Sequence, residues 1–353
     1  MAFFFVGYIA VGLLSAADWN PTVFIKFGTN DPKTIVYAES QFDEVVYSPG
    51  LGHDGHFFFM QAMDPLYLSP EDHAAFLDRP TYRAQRMLYP ALAGLGGTLP
   101  PMAVAWTLLA INLIAVGVGT WLTALLAQKI GLSPAFGLAF LINPGVFVPS
   151  VIDTAEVLAM VFLVASMLFV LDSRWRESSA FLTFAVLSRE TMLVAVLGLM
   201  VYLAATQRRI PKALFAPILA AGLWWGYVRI RIGYLAGEVQ DTRAFGRPFE
   251  GFLGAFKQWV ESSDLLDDML IGILLVLATS FFLYLAIRRR SVLAAMVAGN
   301  AVIAVFMVEE VWLHYFDSTR ALTPVVTFFF LLAASTASGG DSKQALPSMS
   351  LSA

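Results

Sequence analysis

Apolar runs of near-membrane length recur along this chain with short polar breaks between them, and this rhythm is its strongest signal. A helix needs ~20 apolar residues to cross the hydrocarbon of a bilayer. Spans are expected near 2–17, 101–127, 134–150, 154–171, 213–230, 266–287, 291–309 and 319–336. The stretch 179–206 is also apolar but is cut by Ser188-Arg189-Glu190. One span there would carry both charges into lipid, at about 3 kcal/mol or more each. Two short helices meeting at Arg189-Glu190 are therefore expected, which brings the count to ten. The first run, Ala2 to Ala17, lacks the basic leader of a cleaved signal peptide and is expected to be a retained span.

The pattern predicts an all-α fold: a polytopic transmembrane helical bundle of about ten spans with a long first extracytoplasmic loop. A single transmembrane domain is expected over 1–336, with outer loops at 18–100 and 231–265. The Ser- and Gly-rich segment 337–353 reads as a disordered cytoplasmic tail. Neither outer loop has the length or the apolar alternation of a large separate domain. The apolar stretch Arg86 to Gly97 is too short to span and is expected to lie along the interface or dip into the membrane. No internal repeat is visible.

Composition agrees with this reading. The chain is 58% hydrophobic and only 14% charged, whereas soluble domains are about a quarter charged. With no cysteine, disulfides, thiolate metal sites and thiol nucleophiles are excluded. Charge then orients the chain. Lys129, Arg174, Arg176, Arg208, Arg209, Lys212, Arg288, Arg289 and Arg290 fall in alternate short loops, which makes those loops cytoplasmic. Ten spans put both termini inside, and Lys343 joins them. Only Asp172, Glu177 and Asp341 accompany these basic residues, so 23 of the 26 acids fall on the other side. The chemistry is thus expected to be extracytoplasmic, in a multi-pass protein of the cell membrane.

Several clusters on that side can carry chemistry. The segment Gly50-Leu51-Gly52-His53-Asp54-Gly55-His56 sets a carboxylate between glycines, where a substrate can approach closely and Asp54 can serve as a general base. His53 and His56, with Asp54 or Asp317, can alternatively be read as metal ligands, although glycines at 52 and 55 oppose the helix that would align them. No metal is favoured. Arg83 and Arg86 suit a phosphate at headgroup depth, or simply anchor the interface. Asp153 and Glu156 either cap a helix or face the site. Arg189 and Glu190 either neutralise each other or face a polar cavity. Asp317 and Arg320 can pair or reach a bound phosphate. There is no nucleotide-phosphate cradle, no His-Glu-x-x-His and no Gly-x-Ser-x-Gly. An enzyme of this kind would take an activated substrate already in the membrane. No cofactor and no nucleic-acid partner is expected.

The order of these pieces resembles the GT-C superfamily of membrane glycosyltransferases, which use polyprenyl-phosphate sugars, in particular its small bacterial members. The likeness runs from Gly52-His53-Asp54-Gly55-His56-Phe57-Phe58 and Asp64-Pro65 to Tyr82-Arg83-Ala84-Gln85-Arg86 with Pro90. It continues through Asn143-Pro144 with Glu156, then Leu187-Ser188-Arg189-Glu190-Thr191, then Asp317-Ser318-Thr319-Arg320 with Pro324. The chain departs from that family in one place. Many members carry an acidic pair soon after the first span, whereas Asp18 stands alone in Asp18-Trp19-Asn20.

The resemblance implies transfer of a sugar, with inversion, from a lipid-linked donor to a hydroxyl of a glycan or lipid acceptor. Asp54, or else Asp18, would be the base, and Arg83, Arg86, Arg189 and Arg320 would hold the phosphate. His53, His56, Glu156, Glu190 and Asp317 complete the expected substrate-binding set. A transporter or flippase of a lipid-linked substrate is the alternative, which usually shows inverted repeats and mid-membrane charge. A non-catalytic envelope subunit would leave Asp54, Arg189 and Arg320 apart.

Overall fold

A computed structural model describes residues 2–234, 245–262 and 265–337. Its elements are helices throughout, and the described residues form no strand, only isolated bridges. Of the tail expected over 337–353, Ala337 ends the last helix, and 338–353, like part of the expected second outer loop, lie outside the described residues.

Among the described residues, four helices are long and apolar enough to cross a membrane: Pro101–Lys129, Glu190–Gln207, Lys212–Ile232 and Leu266–Arg288. The pair Tyr315–Ala321 and Thr323–Ala337, bent by 73°, makes a fifth if counted as one span. Ten were expected, and the shortfall has local causes. The expected span at 134–150 breaks into Pro134–Gly137, Leu138–Leu141 and Pro144–Ser150. Asn143 starts the last of these by accepting from the Gly145 amide at 2.8 Å, and Pro144 supplies the first helical residue. Phe4–Ala16, Glu156–Leu171 and Val292–Phe306 are apolar but have 10–17 residues. At 1.5 Å per residue they reach at most ~26 Å, short of the ~30 Å hydrocarbon core.

The break at Arg189 is present. Trp175–Ser188 ends there, Arg189 is extended with φ −150°, and Leu193–Gln207 follows a short 3-10 turn. The backbone is thereby opened where two charged side chains must leave the apolar stretch.

Glu156–Leu171 is the central helix. Valines, leucines and methionines around its whole circumference are buried, as expected of a helix enclosed by others. It packs on Pro101–Lys129 and Trp175–Ser188. At one end Asp172 meets Lys129 at 2.5 Å. Glu156 begins the opposite end, ~24 Å away for 16 residues.

The long segment after the first helix folds over this second end. Phe27, Tyr37, Phe42, Phe57, Phe58, Phe59 and Tyr89 make a shared aromatic core that continues into Val104, Leu108 and Leu158 of the bundle. The segment therefore caps the bundle by packing on it. The stretch Arg86 to Gly97 forms the helix Leu88–Ala93, whose Tyr89, Pro90 and Ala93 are buried. One face of it packs into the cap, where the Tyr89 hydroxyl donates to Leu108 O at 3.0 Å, while Leu92 and Leu95 stay exposed.

Candidate functional site

Asp54 is placed by its neighbours' backbone. Gly52, at φ +76°, lies so close to the Lys26 carbonyl that a Cβ would stand 2.2 Å from it. The His53 amide donates to that same oxygen at 3.1 Å. Gly55 is equally confined: a Cβ there would meet Ile152 O at 2.4 Å and Ile25 O at 2.7 Å. Only glycine permits this approach. The loop is clamped between the cap and the start of the central helix, and Asp54 sits at the N-terminal end of Gly55–Met63, where negative charge is favoured.

Two arginines from opposite ends of the sequence grip this carboxylate. Arg83 Nη1 donates to Asp54 Oδ1 at 3.0 Å, and Arg320 Nη2 donates to Oδ2 at 2.8 Å. Each arginine is braced behind. Asp78 accepts from Nε and Nη2 of Arg83 at 2.9 and 3.0 Å, while the Phe57 ring lies 4.0 Å from its guanidinium. Glu156 accepts from Nε and Nη2 of Arg320 at 3.1 and 2.9 Å and also pairs with Arg189. Asp317 stands 3.4 Å from Arg320. A separate fork joins Arg86 to Glu190 at 2.9 and 3.0 Å, and Arg86 also donates to the Tyr82 hydroxyl at 2.6 Å.

Neighbouring Arg189 and Glu190 thus do not neutralise each other. Each pairs with a residue from another segment, and both line the cavity. Burial alone would raise the affinity of Asp54 for a proton, but Arg83, Arg320 and Arg86 hold its carboxyl well below the usual carboxylate range. Asp54 is therefore an anion, with a quarter of its side chain open to the cavity.

The cavity measures about 870 Å³ and has two characters. Asp54, Tyr82, Arg83, Arg86, Arg189 and Arg320 form its charged side. Ile303, Met307, Val308 and Val311, with Phe245 and Ala321, supply apolar lining. Such a space suits a ligand with an anionic head and an apolar body.

Seven of the ten residues expected from the sequence line this cavity: Asp54, Arg83, Arg86, Arg189, Glu190, Asp317 and Arg320. Glu156 lies directly behind, fully buried against Arg189 and Arg320. The two histidines depart from expectation. Neither lines the cavity. His56 is buried beside Phe27 and Phe57, and burial lowers its pKa to about 4, leaving it neutral. Among the described residues no three His, Asp or Glu side chains are grouped to hold a metal ion. Asp18 is exposed at the end of the first helix and does not line the cavity.

Three contributors escaped the sequence reading. Asp78 braces Arg83, and Arg79 and Arg247 also line the cavity, whereas Tyr82, which accepts from Arg86, belongs to the arginine segment read from the sequence. Asp78 was visible in principle, since Pro80 turns the chain between it and Arg83. Arg247 carried no local signal.

A family model described as "Predicted membrane protein (DUF2079)" matches residues 100–243. This match spans much of the bundle but not Asp54, Arg83 or Arg320. No curated protein matches the chain. No solved structure matches it either.

Proposed function

We propose that this chain is a GT-C-like membrane glycosyltransferase that moves a sugar from a polyprenyl-phosphate donor to an acceptor hydroxyl outside the cytoplasm. The observation that carries this reading is the double grip of Arg83 and Arg320 on Asp54 in a cavity with an apolar side. Arginine forks suit a phosphate, and the apolar residues suit the first units of a prenyl chain.

In the proposed reaction the acceptor oxygen attacks the anomeric carbon as its proton passes to Asp54. The bond from that carbon to the phosphate oxygen breaks, its electron pair stays on the departing polyprenyl phosphate, and the anomeric centre inverts. Arg83, Arg86, Arg189 and Arg320 stabilise the charge that develops on the phosphate. Glu156, Glu190 and Asp78 keep those guanidiniums oriented. No step requires a cofactor. The acceptor is a hydroxyl of a glycan or a lipid.

The charge distribution supports an extracytoplasmic site, and both termini are proposed to lie inside. Lys129, Asp172 and Arg174 gather at the end of the central helix remote from Glu156. Likewise Leu266–Arg288 ends in a basic run, whereas near its start Asp268 accepts from the Tyr315 amide at 2.6 Å, beside the site. Basic residues mark the cytoplasmic end. The convergence of Asp54, Arg189 and Arg320 on one cavity also disfavours a non-catalytic assembly subunit.

The test is Asp54→Asn in purified protein supplied with a panel of polyprenyl-phosphate sugars. Transfer should fall by about 10²–10⁴, the range of a lost general base, while the protein stays folded. Normal turnover in a folded variant would remove Asp54 from the mechanism.

A further inference from the structure

The arginines at this site are already occupied. Arg83 holds Asp78 and Asp54, Arg86 holds Glu190, Arg189 holds Glu156, and Arg320 holds Glu156, Asp54 and Asp317. Four guanidiniums thus face five carboxylates, Asp54, Asp78, Glu156, Glu190 and Asp317, with no surplus positive charge in the knot. Every nitrogen of Arg83 and Arg320 already donates to a carboxylate, so an anion that closes on either guanidinium competes with a carboxylate for the same nitrogens.

The five carboxylates are not equally replaceable, and Asp317 makes a single long contact, 3.4 Å to Arg320 Nη1, the nitrogen that Asp54 does not use. Asp78 and Glu156 each take a pair of nitrogens from one arginine and do not line the cavity. Glu190 grips Arg86 with both oxygens. Asp54 lines the cavity and accepts one bond on each oxygen, from two different arginines. The spacing of those two donors is already that of an oxyanion cradle, and Asp78 and Glu156 would hold it in place if Asp54 left.

We infer that Asp54 occupies the place of the ligand's phosphate, and that an incoming phosphodiester exchanges with it on Arg83 Nη1 and Arg320 Nη2. This rests on the lipid-phosphate reading above and adds an order of events to it. While Asp54 is gripped by two guanidiniums it is a poor base. Once they turn to the phosphate, the carboxylate is left beside a new anion and its basicity rises. Proton-accepting power then appears only when the donor is in place, so the donor binds before the acceptor reacts. The charged and titratable groups that face Asp54 are Arg83, Arg86, Arg320, Asp317, His53 and His56. Burial lowers the pKa of both histidines, which leaves Asp54 and Asp317, the two cavity-lining carboxylates that share Arg320, to take up the proton, and Asp54→Asn separates them.

The experiment is calorimetric titration of the full chain in lipid nanodiscs with dodecyl methyl phosphate, a single-chain phosphodiester that does not itself titrate near neutrality. Runs in buffers of different ionisation enthalpy count the protons bound. Exchange predicts fractional proton uptake that grows as the pH is lowered from neutrality. It also predicts that Asp54→Asn binds the probe about tenfold tighter, without uptake, because the competing anion is gone. Binding without uptake at any pH, or binding no tighter in a folded Asp54→Asn, would overturn the exchange; a phosphodiester held at Arg79 and Arg247 would behave so. If Asp54→Asn proves unfolded, the proton count of the unaltered protein decides alone. Absence of binding to either protein would instead strike at the lipid-phosphate reading itself.

Discussion

Arg320 and Asp54 lie 266 positions apart in the chain and meet at 2.8 Å, with Glu156 holding the same guanidinium from behind. The long segment after the first helix, the central helix and the last bent helix pair are thereby tied at one point. Replacing Arg320 by Gln leaves Glu156 to Arg189 alone and Asp54 to Arg83 alone. The expected cost is about 3 kcal/mol, as for a broken buried ion pair. Adding Glu156→Gln should cost less than the sum of the two single changes, because the shared contact is already lost. Chemical unfolding of the four proteins checks this, and strict additivity would show that the two residues are not coupled.

Asp78 braces Arg83 without lining the cavity. Asp78→Asn keeps the shape but weakens the fork, so Arg83 should lose orientation more than charge. The expected outcome is a donor KM raised by about tenfold with a smaller effect on kcat at saturation, as for a misplaced positioning group. Steady-state kinetics separates the two. An unchanged KM would mean that Arg83 holds its place through Phe57 and Asp54 alone.

His56 gives the cap a pH dependence. Its folded pKa is lowered to about 4 by burial, against 6.5 in the unfolded chain. The unfolded state therefore binds the proton first as pH falls, and stability is lost between about pH 6.5 and 4. For this shift the loss approaches about 3 kcal/mol. His56→Phe, which keeps an aromatic ring against Phe27 and Phe57, should flatten that slope while leaving stability at neutral pH nearly unchanged. Thermal midpoints across the pH range decide it. An equal slope in the variant would assign the effect to His53 and His73, whose pKa values are also lowered by burial.

The sequence exposed the site more fully than the fold. Asp54, Arg83, Arg189, Glu190 and Arg320 stood out because charge in or beside apolar stretches is costly unless used, and all of them line one cavity. The break at Arg189 was legible for the same reason. Span count was not, because hydropathy sums ignore backbone interruptions. The Asn143 cap, with Pro144 as the first helical residue after it, divides a run that reads as continuous. The Gly-His-Asp-Gly-His segment reads alike throughout, but only Asp54 lines the cavity, whereas His56 packs against Phe27 in the aromatic core. Asp78 and the apolar lining residues were not legible because their roles depend on contacts across the fold.

The central claim is that this cavity transfers a sugar from a lipid phosphate. Its most direct test is the release of polyprenyl phosphate by purified protein in nanodiscs, given polyprenyl-phosphate sugars one at a time with candidate glycan and lipid acceptors. The account predicts acceptor-dependent release from at least one donor, reduced by about 10²–10³ in Arg320→Gln. Release that persists undiminished in that variant, or its absence with every donor in a protein that translocates the same lipids across the bilayer, would contradict it.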